Sequence, residues 1–348
     1  MIDSKTQSDD KDSNANLVVG NSKPNPNLNP NEEGVFNPGV EFQIQWLDDI
    51  RVNLSAVERR IASLTKRRSV KKAHQAAWLI KAISCIDLTT LSGQDTPGKV
   101  KRLCAKAKMP LSKELQKALD IESLGLTTGA VCVYHEMVKT AVEALKGTNI
   151  PVAAVSTGFP AGLSSFSTRL QEIKNSVAAG AKEIDIVITR GHVLNANWRA
   201  LYDEVSAFKQ ACGDAHMKTI ISTGELCTLN NVARASMVSM MAGSDFIKTS
   251  TGMESTNATL AVSLVMTRMI RQYQQLTGYR VGFKPAGGIG TAKDAISYLV
   301  LIKEELGDSW LNPEMFRFGA SSLLADIERQ LEHHVTGRYS AFHRHPIS

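Results

Sequence analysis

The chain has 348 residues, 43% of them hydrophobic, and a formal net charge of +6. That is enough apolar material for one large α/β domain or two ordinary ones. Its lysines and arginines are scattered, and the single basic run, Lys66-Arg-Arg-Ser-Val-Lys-Lys72, reads as a solvated helix face; without interleaved aromatics or a known motif it does not suggest nucleic-acid binding.

Residues 1–40 stand apart in composition. Asn16, Asn21, Asn25, Asn27, Asn29, Asn31 and Asn37 alternate with Pro24, Pro26, Pro30 and Pro38. Such a segment buries too little apolar surface to offset its ordering entropy, so a disordered tail is expected. From residue 41 to about 84 the apolar residues recur at helical spacing: Ile44, Trp46, Leu47 and Ile50, then Val57, Ile61 and Leu64, then Ala76, Trp78, Leu79, Ala82 and Ile83. A helical extension ahead of the main domain (41–348) is predicted.

Beyond residue 84 the pattern alternates. Short, nearly continuous apolar runs fall at 85–91, 130–134, 152–156, 183–189, 219–223, 245–249, 281–284 and 315–318. Helical periodicity fills 138–145, 170–179, 198–211, 230–242, 258–276, 292–306 and 322–333. Buried strands alternating with helices imply a parallel sheet. Eight such units fit a closed (β/α)₈ TIM barrel, with an open doubly wound sheet as the competing arrangement. In a barrel, functional side chains sit at the C-terminal ends of the strands.

Two of those ends carry a lysine. Lys248 closes the run Asp245-Phe-Ile-Lys-Thr-Ser-Thr-Gly252, and Lys284 closes Val281-Gly-Phe-Lys-Pro-Ala-Gly-Gly288. A buried ammonium is costly unless it is paired or loses its proton. Either lysine alone could be the structural partner of a carboxylate; two in matching settings point to chemistry. If they share the barrel mouth, each disfavours the other's charge, and a neutral amine there attacks carbonyls to form a Schiff base. Asp185, inside the run Glu183-Ile-Asp-Ile-Val187, is the carboxylate placed to carry protons. Glycine-rich turns around Thr251-Gly252, Gly287-Gly288 and Gly319-Ala-Ser-Ser322 follow the last three strands. Backbone amides at such turns bind phosphate.

Five cysteines are dispersed without a CxxC pair, which suits reduced thiols in a cytoplasmic protein. No apolar run is long enough for a membrane span, and no signal-peptide pattern opens the chain. Half of the eight histidines lie at or beyond His333 and the rest are scattered, so neither a metal nor another cofactor is expected.

Six segments together resemble the deoxyribose-phosphate aldolase family, in its animal form: the Lys248 and Lys284 stretches, Glu183-Ile-Asp-Ile-Val187, Ile86-Asp-Leu-Thr-Thr-Leu91, Thr223-Gly-Glu-Leu226 and Phe318-Gly-Ala-Ser-Ser322. The resemblance spans about residues 42–348. It implies a class I aldolase cleaving 2-deoxy-D-ribose 5-phosphate to D-glyceraldehyde 3-phosphate and acetaldehyde. Lys248 would be the Schiff-base lysine, Lys284 its pKa-lowering neighbour and Asp185 the proton carrier. Asp87, Thr89 and Cys132 would touch substrate or the water beside it. Thr251, Gly252, Gly287, Gly288, Gly319, Ser321 and Ser322 would hold the phosphate. The partners it implies are a phosphosugar and aldehydes, with a homo-oligomer left open and no nucleic acid or membrane. The chain departs from the family pattern at Met253 and Gly290, where the family carries a lysine and an arginine. Relaxed phosphate preference, or a phosphosugar-binding protein without turnover, are the alternatives those departures raise. The C-terminus departs as well, leaving Tyr339 as the one tail tyrosine that could assist proton transfer.

Overall fold

The computed structural model describes residues 37–67, 70–341 and 344–345. The expected tail therefore lies outside the described residues up to Phe36, as do Arg68 and Ser69 of the basic run. Three helices come first: α1 (Gln45–Asp48), α2 (Leu54–Arg67) and α3 (Lys72–Ser84). The strands follow as β1 (Ile86–Thr89), β2 (Ala130–Tyr134), β3 (Val152–Ser156), β4 (Glu183–Val187), β5 (His216–Ile220), β6 (Phe246–Lys248), β7 (Gly282–Lys284) and β8 (Phe318–Ala320). Helices α4 (Pro97–Lys108) and α5 (Lys113–Ala118) link β1 to β2, and α6 (Val138–Ala144) links β2 to β3. Then come α7 (Phe166–Ala178), α8 (Arg190–Leu194), α9 (Trp198–Cys212), α10 (Leu229–Met241), α11 (Leu260–Thr277), α12 (Ala292–Leu306) and α13 (Leu323–Thr336).

The strands pair in parallel in the order β7-β6-β5-β4-β3-β2-β1-β8. Parallel bridges Phe283–Phe316 and Ala286–Gly319 meet across the remaining seam. Backbone bonds from Phe283 N to Met315 O (2.9 Å), Arg317 N to Phe283 O (3.1 Å) and Gly319 N to Pro285 O (2.9 Å) tie it. The sheet thus closes on itself as the (β/α)₈ barrel the alternation predicts. Among the described residues no helix is long and apolar enough to cross a membrane.

Two strands differ from the sequence reading. β5 begins three residues earlier than the apolar run suggests, because its opening His216-Met-Lys218 looks polar yet Lys218 is fully buried. β8 sits at 318–320, beyond the predicted 315–318, with Phe316 bridging from just outside it. The sequence reading also leaves α4 and α5 unassigned. The helical period of α4 is there, with Val100, Leu103, Cys104 and Ala107 all buried, but it is diluted by four lysines and an arginine.

Strand side chains alternate between two environments. On β4, Ile184 and Ile186 join the shell between strands and helices, while Val187 belongs to a separate inner cluster with Cys132, Ala153, Val155, Phe159 and Ile220. Barrel interiors are usually filled by branched aliphatic residues. This one also contains Lys218 and Lys284, which rank among its largest fully buried side chains. Two glycines make room for them. A Cβ on Gly282 would lie 2.5 Å from the Phe246 ring, which sits beneath Lys218, and one on Gly319 would lie 3.3 Å from Lys284 Cε.

The N-terminal helices cover the barrel's later helices, α3 against α12 and α13, and α2 against α11 and α12. Residues 37–40, placed in the tail by composition, are anchored instead. The Asn37 side chain donates to Met240 O (2.8 Å) and Ser244 O (2.9 Å) and accepts from Tyr273 Oη (3.0 Å). Its backbone N–H donates to Asp245 Oδ1 (2.9 Å). Asn37→Ala removes three buried side-chain hydrogen bonds, although Met240 O keeps the Gly243 N–H at 3.1 Å, so it lowers unfolding stability by about 2–4 kcal/mol. Urea unfolding measures this, and an unchanged midpoint would show that the segment is not an anchor.

Candidate active site

Strands β4 to β7 deliver their polar side chains to one point inside the barrel. Lys248 and Lys284 are register partners on adjacent strands. Both donate to the same carboxylate oxygen, Asp185 Oδ2, each at 2.7 Å. Lys284 also donates to Asp87 Oδ2 in a short contact. Asp185, Asp87 and Lys284 are fully buried, and Lys248 is 2% exposed. The three expected chemical residues therefore share one oxygen.

Three further charged side chains continue the cluster. Lys218 Nζ reaches Asp185 Oδ1 at 3.3 Å and Asp87 Oδ2 at 3.7 Å, and makes a short contact with Glu183. Arg317 donates to Asp87 Oδ1 at 2.6 Å and to Glu183 Oε1 at 2.8 Å. Glu183 and Arg317 border a cavity of ≈760 Å³, lined also by Ser84, Lys182 and Pro313. Ser84 precedes β1 and Lys182 precedes β4, so this cavity opens on the face opposite the strand C-termini. Sequence reasoning passed over Lys218, Glu183 and Arg317. The period-two alternation marks Glu183 beside Asp185. Lys218 was hidden by the late start assigned to β5, and Arg317 by its place between Phe316 and Phe318.

The electrostatics separate the four bases. Burial is the largest influence on Lys248 and pushes its pKa down; Asp185 opposes this and the Lys284 charge adds to it. For Lys284 and Lys218 burial works the same way, but the carboxylates around them outweigh it and raise both. Arg317 is likewise raised by Glu183 and Asp87 against its burial. Burial alone would raise the carboxylates. The neighbouring lysines and arginine instead hold Asp185, Asp87 and Glu183 below their ordinary range. Lys248 is the one base of the four driven toward its neutral form.

The other half of the interior beside Lys248 is apolar. Cys132, Val155, Phe159, Val187 and Ile220 form it, with Leu91 and Tyr134 at its edge. The Cys132 thiol is kept protonated, its pKa raised by burial. Thr89 is half-buried at the end of β1 and donates to the Asp87 carbonyl at 2.6 Å. Asp87 itself is saturated by Lys284 and Arg317, so the structure places it beneath the site rather than at its open face.

The glycine turns converge as well. Gly252, Gly287 and Gly288 all have positive φ, and a Cβ on Gly252 would lie 3.9 Å from Gly287 Cα. A Cβ on Gly290 would lie 3.5 Å from Ser322 Oγ. Ser321 and Ser322 are exposed. Ser322 opens α13 without a side-chain cap, whereas Thr291 and Asp294 close the start of α12 as a capping box. Gly319 is set apart: it packs under Ala286 and Lys284. Thr251 has its N–H and hydroxyl on Glu254 Oε1, at 2.9 and 3.2 Å. Met253, beside it, is 55% exposed. Tyr339 is also far from the mouth. It stacks on His333 (4.2 Å between centroids) after the last turn of α13, and α13 runs away from the strand C-termini. Among the described residues no histidine, cysteine and carboxylate group is arranged to hold a metal ion.

A barrel with a lysine pair on one carboxylate defines the class, and comparison with known proteins agrees. The chain belongs to the DeoC/LacD family of aldolases, whose model matches residues 81–329. It is 58% identical over 314 residues to the deoxyribose-phosphate aldolase of Homo sapiens, covering 90% of this chain and 99% of that one. The protein of that name from Mus musculus is 59% identical over 312 residues, covering 89% and 98%. The tetrameric deoxyribose phosphate aldolase of Aeropyrum pernix shares the fold at 21% identity, with a TM-score of 0.56 over 80% of this chain and 99% of that one.

The buried carboxylates give the site an acid signature. Asp87 and Asp185 (ordinary value 3.8) and Glu183 (4.5) are all depressed in the folded chain. The unfolded chain then binds protons first as the solution is acidified, so stability present above those ordinary values is lost as pH falls below about 4. Guanidinium unfolding between pH 7 and pH 3 should show the midpoint falling steeply below pH 4.5; a flat profile would contradict the ionised cluster.

Proposed function

We propose that this chain cleaves 2-deoxy-D-ribose 5-phosphate to D-glyceraldehyde 3-phosphate and acetaldehyde through a Schiff base on Lys248. The observation that carries the reading is the single oxygen, Asp185 Oδ2, held at 2.7 Å by both Lys248 and Lys284. The neutral Lys248 amine attacks the C1 aldehyde of the open-chain sugar. The carbinolamine loses its hydroxyl as water, with the proton supplied from Lys284 through Asp185, and a protonated imine results. The imine draws in the C2–C3 bonding pair as the C3 hydroxyl gives up its proton, which passes through Asp185 to restore the Lys284 ammonium. C3 becomes the aldehyde of glyceraldehyde 3-phosphate, and C1–C2 remains on Lys248 as an enamine. Protonation at C2 and addition of water release acetaldehyde and restore the amine. The apolar wall around Cys132, Val155 and Ile220 suits the two-carbon fragment and limits bulk water beside the enamine.

The phosphate, in this reading, rests on the backbone amides of the Gly287-Gly288 turn and the open start of α13, with the Ser321 and Ser322 hydroxyls beside them. A weakened phosphate grip is favoured by a specific observation: the turn after Lys248 presents exposed Met253 and uses Thr251 to hold the Glu254 carboxylate. Gly290 adds no side chain next to Ser322.

Two experiments test these readings. Borohydride reduction in the presence of acetaldehyde should leave an ethyl adduct that peptide mass mapping places on Lys248 and that Lys248→Met abolishes. Absence of any adduct there would overturn the enzyme reading and leave phosphosugar binding without turnover. For the phosphate, a charge-assisted contact contributes about 1.5–3 kcal/mol. The double variant Met253→Lys with Gly290→Arg should therefore lower KM for the phosphorylated sugar at least tenfold, with free deoxyribose unaffected. An unchanged KM means the wild-type grip is already complete.

A further inference from the structure

The seven charged side chains inside the barrel do not balance. Lys218, Lys248, Lys284 and Arg317 are basic, while Asp87, Glu183 and Asp185 are acidic. Four bases therefore face three carboxylates, in a space where an unpaired charge is costly. The contacts decide which base is left over. Arg317 spans Asp87 and Glu183, at 2.6 and 2.8 Å. Lys218 touches all three carboxylates and Lys284 touches two. Lys248 meets only Asp185, on the oxygen Lys284 already holds.

We propose that Lys218 is a positioning residue for the Lys248 reaction: with Arg317 and Lys284 it completes the neutralisation of the three carboxylates, so that Lys248 is the surplus base and keeps no proton. The proposal rests on the Schiff-base reading above. It assigns the neutrality of Lys248 to the charge count of the whole cluster rather than to one neighbouring lysine. Lys218 acts at two points. Its charge completes the count, and its contact with Asp185 Oδ1 leaves Oδ2 turned toward the two other lysines.

β1 supplies Asp87, β4 supplies Glu183 and Asp185, β5 supplies Lys218 and, at its start, His216, which burial pushes toward its neutral form, β7 supplies Lys284, and Arg317 immediately precedes β8. β2 contributes the Cys132 thiol and the Tyr134 hydroxyl, both of which burial keeps neutral. β3 (Val152–Ser156) contains no titratable side chain. The directions of the shifts agree with the count: Lys218, Lys284 and Arg317 are held protonated, and Lys248 alone is pushed the other way.

The test changes the count one charge at a time. Lys218→Met leaves three bases for three carboxylates, so Lys248 now retains its proton. Glu183→Gln leaves four bases for two carboxylates and drives Lys248 further toward neutrality. The pair together restores an excess of one. Acetaldehyde adduct formation with cyanoborohydride is followed by intact mass across pH 5–10 in all four proteins, with far-UV circular dichroism confirming folding. The reagent's own pH dependence is common to all four, so the displacement between curves is what is read.

Lys218→Met should move the curve up by two pH units or more, reducing trapping at pH 7 about a hundredfold. Glu183→Gln should move it down by about one unit, and the double variant should return to within about half a unit of wild type. If Lys218→Met does not fold, the Glu183→Gln displacement and the double variant still decide the matter. Coincident curves overturn the proposal, as does a double variant as displaced as Lys218→Met, because a purely structural role for Lys218 is not rescued by removing a carboxylate. Failure of the wild-type protein to trap at any pH would instead remove the Schiff-base reading itself.

Discussion

Moving a charge out of water costs several kcal/mol even after the protein relaxes around it. Seven ionisable side chains inside one barrel are stable only because each charged one meets an opposite charge at hydrogen-bond distance. Asp185 is the pivot of this arrangement. One of its oxygens takes Lys248 and Lys284, and the other faces Lys218. At rest the carboxylate stays ionised with the Lys218 and Lys284 ammonium groups against it, and Lys284, facing two carboxylates, holds its proton more tightly than Lys248 does. The stress of the unbalanced count therefore falls on Lys248, at the open end of the cluster. Reactivity here follows from where the last charge cannot be satisfied.

The scaffold serves that constraint. Closing the sheet puts β4, β5, β6, β7 and the Arg317 segment around one axis, which an open sheet would spread over its width. Gly282 and Gly319 allow the Phe246 ring and the Lys284 stem to approach closely enough for the cluster to pack. The aliphatic residues on alternate strand positions hold the strands to the helices, and the inner apolar wall shields the mouth side of Lys248. Asn37 ties the chain leading into the extension to the start of β6 and to α11, which fixes the two elements flanking the β6 turn.

The parts legible in the sequence were those with a local signature. Eight apolar runs separated by helical periods determine a barrel, and a lysine at the end of an apolar run is conspicuous by its desolvation cost. Lys248, Lys284 and Asp185 were therefore visible before any geometry. Lys218 and Arg317 were not, because what makes them notable is a contact across strands distant in sequence. Lys218 lies 33 residues from Asp185, and Arg317 lies 134 from Glu183. Asn37 was misread for a related reason. It ends an asparagine- and proline-rich segment, and only its four distant partners distinguish it from the asparagines before it. The resemblance implied a substrate contact for Asp87; its saturation by Lys284 and Arg317 is a tertiary fact that no local pattern shows.

The two ends of the site are also under different physical constraints. Within the cluster, removing one member of a buried pair strands its partner at a cost of about 3–5 kcal/mol, so a single substitution there is punished in stability as well as in chemistry. At the proposed phosphate side the turns at Gly252 and Gly288 are exposed, and the donors proposed there are largely backbone amides, which no side-chain change removes. A lysine or arginine there is an added contact on a solvated rim, and its absence strands nothing. Met253 at 55% exposure and Gly290 beside the exposed Ser322 are positions where charge can be lost without disturbing the barrel. In the proposed reading the chain keeps the Lys248 cluster whole while loosening its hold on the anionic end of the substrate, because the two are joined by geometry and not by shared charge.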